Sequence, residues 1–93
     1  MSKFNYFSVE SISSTDFTMV NFGFNSTGIM LMVDSTDAAD EILYSFDGVS
    51  VHGSLAPTKP SQAMAFDNRR ECKIWLARDT AGSAVLVRVE AWG

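Results

Sequence analysis

The feature that most constrains the fold is a pair of alternating segments within residues 71–92. They read Glu-Cys-Lys-Ile-Trp-Leu-Ala-Arg and Ala-Val-Leu-Val-Arg-Val-Glu-Ala-Trp, with Asp-Thr-Ala-Gly-Ser between them. Alternation with a period of two predicts strands that bury one face, and two such segments around a turn predict a β-hairpin. The predicted core-facing side chains are Cys72, Ile74, Leu76, Val85, Val87 and Val89.

The opposite face of this predicted hairpin carries Lys73, Trp75, Arg88, Glu90 and Trp92. One register sets Lys73 against Glu90 and Trp75 against Arg88, which is favourable electrostatically. A shorter loop sets Trp75 against Leu86 instead, and the sequence leaves both registers open. Because tryptophan and arginine often anchor interfaces, we predict that this face is a contact surface.

Two further hairpins are predicted upstream. Residues 17–24 and 29–33 flank Asn-Ser-Thr-Gly, and residues 41–46 and 49–52 flank Asp-Gly, which favours a type I′ turn. Residues 29–33 are apolar on both faces, as expected of a central strand covered on both sides or of a strand shared between core and partner. Residues 63–66 form a short strand in this prediction, and the segment 53–62 is a loop.

These patterns predict an all-β chain in which residues 1–93 form a single antiparallel β-sandwich. We expect it to be jelly-roll-like and built from consecutive hairpins. Residues 3–9 are either a first strand or an N-terminal arm that packs on a neighbour, so the segment 1–9 is left open between these roles.

A chain of 93 residues buries a small core, and small domains often need an additional source of stability. Cys72 is the single cysteine, which excludes an intrachain disulfide, and His52 adds only one further ligand of the kind that zinc prefers. We therefore expect no metal and no cofactor, and we predict a homo-oligomer or a subunit of a larger assembly.

The net charge of −4, from seven basic and eleven acidic residues, argues against nucleic acid as a partner. The first residues lack a basic stretch followed by an apolar run, so we expect no secretory signal. The longest apolar run, residues 29–33, is far shorter than the roughly 20 residues of a membrane span. We expect no membrane partner and assembly in the cytoplasm.

Individual residues offer little catalytic chemistry, and we predict no enzyme and no catalytic residue. His52 has neither a nucleophile nor a second histidine beside it in the pattern, and we interpret it as a loop histidine. Cys72 is predicted to be a buried, inert thiol. The acids Asp34, Asp37, Asp40 and Glu41 lack the order of a calcium-binding loop and are interpreted as solvated.

The remaining candidate binding residues lie in predicted turns or are aromatic. Asp-Gly at 47–48 and Asp-Asn-Arg at 67–69 are interpreted as turns, with Arg69 or Arg70 pairing with Asp67. Four aromatic residues suit either sugar stacking or the core and interfaces, and we favour the second use: Phe7, Tyr44, Trp75 and Trp92. The predicted interface residues are Phe4, Tyr6, Phe7, Trp75, Arg88 and Trp92.

Four segments occur in the order Tyr-Ser-Phe-Asp-Gly (44–48), Phe-Asp-Asn-Arg (66–69), Lys-Ile-Trp-Leu-Ala-Arg (73–78) and Gly-Ser-Ala-Val-Leu-Val-Arg-Val-Glu-Ala-Trp (82–92). In these turn and strand patterns, residues 41–92 resemble small β-rich virion structural proteins of tailed bacteriophages; the N-terminal half shows no such likeness. The resemblance implies a non-enzymatic capsid decoration or neck or tail accessory subunit, located in the virion. Its partners would be copies of itself and proteins such as the major capsid or tail proteins. The alternative is a small glycan-binding module for host recognition.

Overall fold

A computed structural model describes residues 5–35, 40–57 and 63–93, so Phe4 and Asp37, named above, lie outside the described residues. No helix in these ranges is long and apolar enough to cross a membrane. The described residues form the strands β1 (Asn5–Ile12), β2 (Thr18–Asn21), β3 (Gly28–Asp34), β4 (Ile42–Ser45), β5 (Gly53–Leu55), β6 (Ala63–Asp67), β7 (Lys73–Arg78) and β8 (Val85–Trp92).

The strands make two antiparallel sheets of four strands each. The first sheet has the order β1-β8-β3-β6 and the second the order β2-β7-β4-β5. Strands pair from the outside of the chain inwards: β1 with β8, β2 with β7, β3 with β6 and β4 with β5. The chain is therefore one long ribbon, doubled back between β4 and β5 and rolled into two sheets. This is a jelly roll, and the predicted antiparallel sandwich is confirmed.

The hairpin predicted for residues 71–92 is wrong, because its two strands lie in different sheets. β7 pairs with β2 and β4, whereas β8 pairs with β1 and β3. The predicted inward direction of the alternating aliphatic residues is correct, and all of the following are buried: Ile74, Leu76, Val85, Val87 and Val89. Cys72 precedes β7 and is exposed, so its predicted burial is wrong. Both sheets share one core, so alternation reveals which side faces inward but not which strand is the partner.

The hairpin predicted for residues 17–24 and 29–33 is also wrong, since β2 lies in the second sheet and β3 in the first. The connection between them is tied to the segment before β7. Phe22 N–H donates to the Cys72 carbonyl at 2.8 Å, and Ser26 N–H donates to the Glu71 carbonyl at 2.9 Å. β3 is the predicted central strand, between β8 and β6. Its inward residues are fully buried and its outward methionines are half-buried.

The third predicted hairpin forms, but in a different register. Tyr44 pairs with Gly53 rather than with Val51, which leaves residues 46–52 as the loop. Gly48 has a φ of +77°, whereas Asp47 does not have a positive φ, so the predicted type I′ turn is wrong. The predicted short strand at residues 63–66 is confirmed as β6, and the described part of the N-terminal segment belongs to a first strand, β1.

One buried cation organises the connection between β7 and β8. Arg78 is 7% exposed, and its Nη1 donates to the Ser83 carbonyl while its Nη2 lies 3.4 Å from Asp40 Oδ1. Its backbone N–H donates to the Ser14 carbonyl at 2.8 Å. A guanidinium offers several donors in one plane, so a single side chain can hold neighbouring loops together where the chain passes from one sheet to the other.

Candidate functional site

The solvent-facing side of the first sheet, here called the outer face, is the candidate site. Along each strand of this sheet, residues that do not point into the core point to the solvent. The register fixes how they line up across the sheet. The two central rows are Phe7–Glu90–Met30–Ala65 and Val9–Arg88–Met32–Ala63, and the two outer rows are Asn5–Trp92–Gly28–Asp67 and Ser11–Leu86–Asp34.

Most of the outer face is apolar and part of it is well exposed. Phe7 is 56% exposed, Val9 48% and Leu86 44%. Met30 and Met32 lie between β8 and β6 and are half-buried. Single exposed apolar residues are ordinary, but several on one continuous face make that face a candidate binding surface. The surface is a sheet face, and no pocket is detected in the part of the chain that the structure describes.

Two opposite charges lie in the middle of this apolar surface. Arg88 and Glu90 are on the same side of β8, and each is flanked by apolar residues of β1 and β3 in its row. The Arg88 guanidinium lies 5.5 Å from the centre of the Phe7 ring, within the range of a cation–π contact. Within the described residues, neither Arg88 nor Glu90 forms an ion pair. Both side chains are half-buried, so their charges remain available to a partner.

Trp92 closes one end of the outer face. Its register partner on β3 is Gly28, and its indole ring covers that glycine. A Cβ atom at position 28 would lie 2.2 Å from the ring, so only glycine leaves room for the indole in this position. Trp92 is half-buried and keeps part of its ring surface exposed beside Asn5.

The structure separates the predicted interface residues. Phe7, Arg88 and Trp92 share the outer face. Trp75 points away from the core on the second sheet, on the opposite side of the molecule, and its ring packs over Gly48. Tyr6 points inward and packs against Phe22 in a tilted arrangement, with 5.3 Å between the ring centres. Trp75 is separated because β7 and β8 lie in different sheets, and Tyr6 is separated because it alternates with Phe7 along β1.

Sequence reasoning missed several residues that complete the outer face. These are Val9, Met30, Met32 and Leu86. The parity of β1 contained a signal for Val9, because Phe7 and Val9 occupy alternating positions of one strand. Leu86 has the same parity as Arg88 and Trp92. Met30 and Met32 belong to a segment that is apolar on both faces in the sequence, and only the order of the strands shows that they lie beside β8.

The loop between β4 and β5 contains two further candidate residues, Asp47 and His52. Its acid, Asp47, accepts hydrogen bonds from Val49 N–H at 2.8 Å and Ser50 N–H at 2.9 Å, and from the Ser45 hydroxyl at 2.8 Å. The backbone N–H groups, followed by the hydroxyl, lower the pKa of Asp47 to about 2. The histidine of the loop, His52, accepts a hydrogen bond at Nδ1 from the Phe46 N–H at 3.0 Å.

Aromatic residues fill the side of the sandwich near this loop. The buried Tyr44 ring lies 5.3 Å from Phe66 and 5.7 Å from Phe46, and burial raises the pKa of its hydroxyl. Arg69 stacks on the Phe46 ring at 3.9 Å. Its Nε lies 3.2 Å from a Glu71 carboxylate oxygen, so Arg69 pairs with Glu71. The predicted ion pair of Arg69 or Arg70 with Asp67 does not form among the described residues.

Asp40, one of the four acidic residues considered as calcium ligands, bonds to neighbouring side chains. Asp40 accepts hydrogen bonds from the Ser35 hydroxyl at 2.6 Å and from Arg78 at 3.4 Å. Among the described residues, no group of three or more histidine, cysteine or acidic side chains is arranged to hold a metal ion.

A solved structure shares this fold over its full length. The crystal structure of the SPBc2 prophage-derived protein YomS superposes with a TM-score of 0.58 and 10% sequence identity, covering 100% of this chain and 98% of that one. The sequence matches no protein-family model and no curated protein. At this identity the likeness concerns the fold alone: the chain has the same architecture as a prophage-derived protein.

Proposed function

We propose that this chain is a non-enzymatic structural subunit of a bacteriophage particle, acting as a capsid decoration protein or as a neck or tail accessory protein. The chain acts by binding other proteins, and it binds them through the outer face of the first sheet. The partners are copies of the chain itself and other virion proteins, such as the major capsid or tail protein. Its location is then the assembled virion.

The observation that carries this proposal is the exposed apolar surface of the outer face. Phe7, Val9 and Leu86 are each more than two-fifths exposed, and half-buried methionines extend the surface towards β6. When a partner covers such a surface, the complex is stabilised by about 25 cal/mol for each Å² of apolar area removed from water. The fold shared with a prophage-derived protein supports a phage context. Jelly rolls also recur in viral capsids, although fold analogy alone does not assign a function.

The test is association with purified particles. Particles made by a host that carries the phage genome would be washed and analysed by quantitative mass spectrometry. We expect the chain at a fixed copy number relative to the major capsid protein, and cryo-electron microscopy should place its density on the head, neck or tail. A chain that is absent from washed particles would overturn the proposal.

A pair of variants links this association to the outer face. Phe7→Ser with Leu86→Ser removes two exposed apolar side chains from the outer face and should reduce the copy number by about tenfold or more. The matched control is Met19→Ser with Val51→Ser, at residues that are 49% and 54% exposed elsewhere on the molecule. Equal losses in both variants would show that the outer face is not the binding surface.

The second candidate, glycan binding, depends on one exposed ring. Of the four aromatic residues considered for stacking, Tyr44 is buried, whereas Trp75 and Trp92 pack over Gly48 and Gly28. Phe7 remains more than half exposed. A glycan array tests this alternative: binding that Phe7→Ala abolishes would favour it, and an array without hits would remove it.

A further inference from the structure

We infer that the outer face binds the outer face of a second copy through a two-fold axis that crosses β8 between Arg88 and Glu90. The inference names the partner of the surface used in the proposed function, and it rests on that function only in this choice of surface. It comes from the order of residues in the rows and from their charges.

The axis lies between the two faces and runs along the rows, perpendicular to the strands. Rotation by 180° about this axis keeps β8 opposite β8 and exchanges the two central rows. Arg88 then lies on Glu90 of the second copy, and Glu90 on its Arg88. This is the reciprocal contact of an isologous interface, in which each residue pair occurs twice. The two charges that lack an ion pair among the described residues both gain one.

The same rotation matches the rest of the face. In the central rows it places Phe7 on Val9 of the second copy and Met30 on its Met32. In the outer rows it places Trp92 on Leu86 of the second copy, so that the largest ring meets an exposed aliphatic side chain. Two aligned sheets pack with their strands at about 30° to each other. The two β8 strands therefore stay in contact near the axis, whereas the residues at the edges of the two sheets lie further apart.

The available area suits a weak dimer. The longest strands of this sheet, β1 and β8, have eight residues, which gives a length of about 26 Å, and four strands give a width of about 19 Å. Two such footprints amount to about 1,000 Å², which is near the lower limit for a specific interface. We therefore expect a dissociation constant on the order of micromolar rather than nanomolar.

Charge reversal tests the axis directly. Arg88→Glu and Glu90→Arg each place like charges at both reciprocal contacts, so each variant alone should dimerise at least about tenfold more weakly than the wild type. When the two variants are mixed, both contacts join opposite charges and a heterodimer should form. The double variant Arg88→Glu/Glu90→Arg should dimerise like the wild type. Sedimentation velocity over about 1 µM to 1 mM would measure all four.

Lys73→Glu is the matched control, because it reverses a half-buried charge on the outward side of the second sheet. It should leave dimerisation unchanged, and circular dichroism should show that every variant is folded. Three results would overturn the inference: a wild type that remains monomeric at the highest concentration, a dimer that Arg88→Glu does not weaken, or single variants that fail to form a heterodimer. A heterodimer from the mixture would support it.

The two proposals fail separately. Dimerisation is measured on pure protein in solution and particle association on purified virions. A dimer that follows the charge-reversal pattern but is absent from particles would overturn the proposed function alone. Particle association that the Phe7→Ser/Leu86→Ser pair reduces, with a wild type that is monomeric in solution, would overturn the two-fold contact alone.

Discussion

The Asp47 side chain stabilises a loop at the place where the sequence predicted a two-residue type I′ turn. Its carboxylate accepts hydrogen bonds from two backbone N–H groups and one hydroxyl, and these bonds hold the loop between β4 and β5. Aspartate commonly forms such local bonds with the backbone two residues on, so the residue type signalled a turn correctly. The type of turn was not predictable, because Asp-Gly fits both a two-residue turn and a longer loop closed by the carboxylate.

The first prediction concerns the acid titration of this loop. The pKa of Asp47 is lowered to about 2, so its stabilising effect is complete above the ordinary carboxyl pKa of 3.8 and is lost as the pH falls through 2. An NMR titration of the carboxyl carbon should give a midpoint near 2. Asp47→Asn should remove this signal and reduce the loss of stability between about pH 4 and pH 2. A midpoint near 3.8 would contradict the hydrogen bonding described.

The second prediction concerns the glycine beneath the indole. Gly28→Ala would place a Cβ atom 2.2 Å from the Trp92 ring, so the ring must move. We expect a loss of about 1–3 kcal/mol in the free energy of unfolding, and a red shift of Trp92 fluorescence in a Trp75→Phe background. Gly82→Ala is the control, since its nearest neighbour, Arg78, lies at an ordinary 3.5 Å. Equal effects of both substitutions would argue against the packing described.

The strands themselves were largely visible in the sequence, whereas their partners were not. Alternation predicted the buried positions of β7 and β8, and the apolar run at β3 predicted a central strand. Three hairpins were predicted from neighbouring segments, and only β4 with β5 pairs in that way. The others fail because a jelly roll pairs each strand with a distant one, and short-range turn signals carry no information about such partners. The outer face was therefore only half predictable: Phe7, Arg88 and Trp92 were predicted from the sequence, but the strand order was needed to show which other residues lie beside them.

The third prediction concerns the connection that carries the chain from β2 to β3. The buried Ser26 hydroxyl donates to the Arg69 carbonyl at 2.7 Å and accepts from the Glu71 N–H at 3.1 Å. Ser26→Ala leaves both backbone groups without this partner, so we expect a loss of about 1–3 kcal/mol in the free energy of unfolding.

Chemical denaturation would measure this loss, with Ser11→Ala on the exposed side of β1 as the control. The control should change stability by less than about 0.5 kcal/mol. If Ser26→Ala were equally mild, the hydroxyl would not be holding the connection to the segment before β7.

For the molecule as a whole, the pairing of distant strands governs how the fold can form. Asn5 pairs with Trp92 and Ile12 with Val85, so the pairing of β1 with β8 closes a loop that spans most of the chain. Among the described strands, only β4 and β5 are both adjacent in sequence and paired. Closing long loops costs chain entropy before the contacts that reward it are made. The pairing of distant strands, which could not be predicted from local sequence patterns, is thus also the main source of the entropic cost of folding.

The fourth prediction follows from this topology. We expect refolding in milliseconds to seconds, as for other all-β sandwiches with predominantly non-local contacts. Stopped-flow tryptophan fluorescence after dilution from denaturant would measure the rate, and the ratio of folding to unfolding rates should reproduce the equilibrium constant. A main folding phase in microseconds would contradict the prediction.

The long ribbon also determines how the molecule responds to force. Asn5 and Trp92 are register partners at the same end of the β1–β8 pair. Tension applied at these two positions therefore pulls across the strands and opens their hydrogen bonds one after another, like a zipper. A load that slides β1 along β8 would instead strain all of these bonds together. The β1–β8 pair is thus mechanically weak when it is pulled apart at Asn5 and Trp92 and stronger when the load slides one strand along the other.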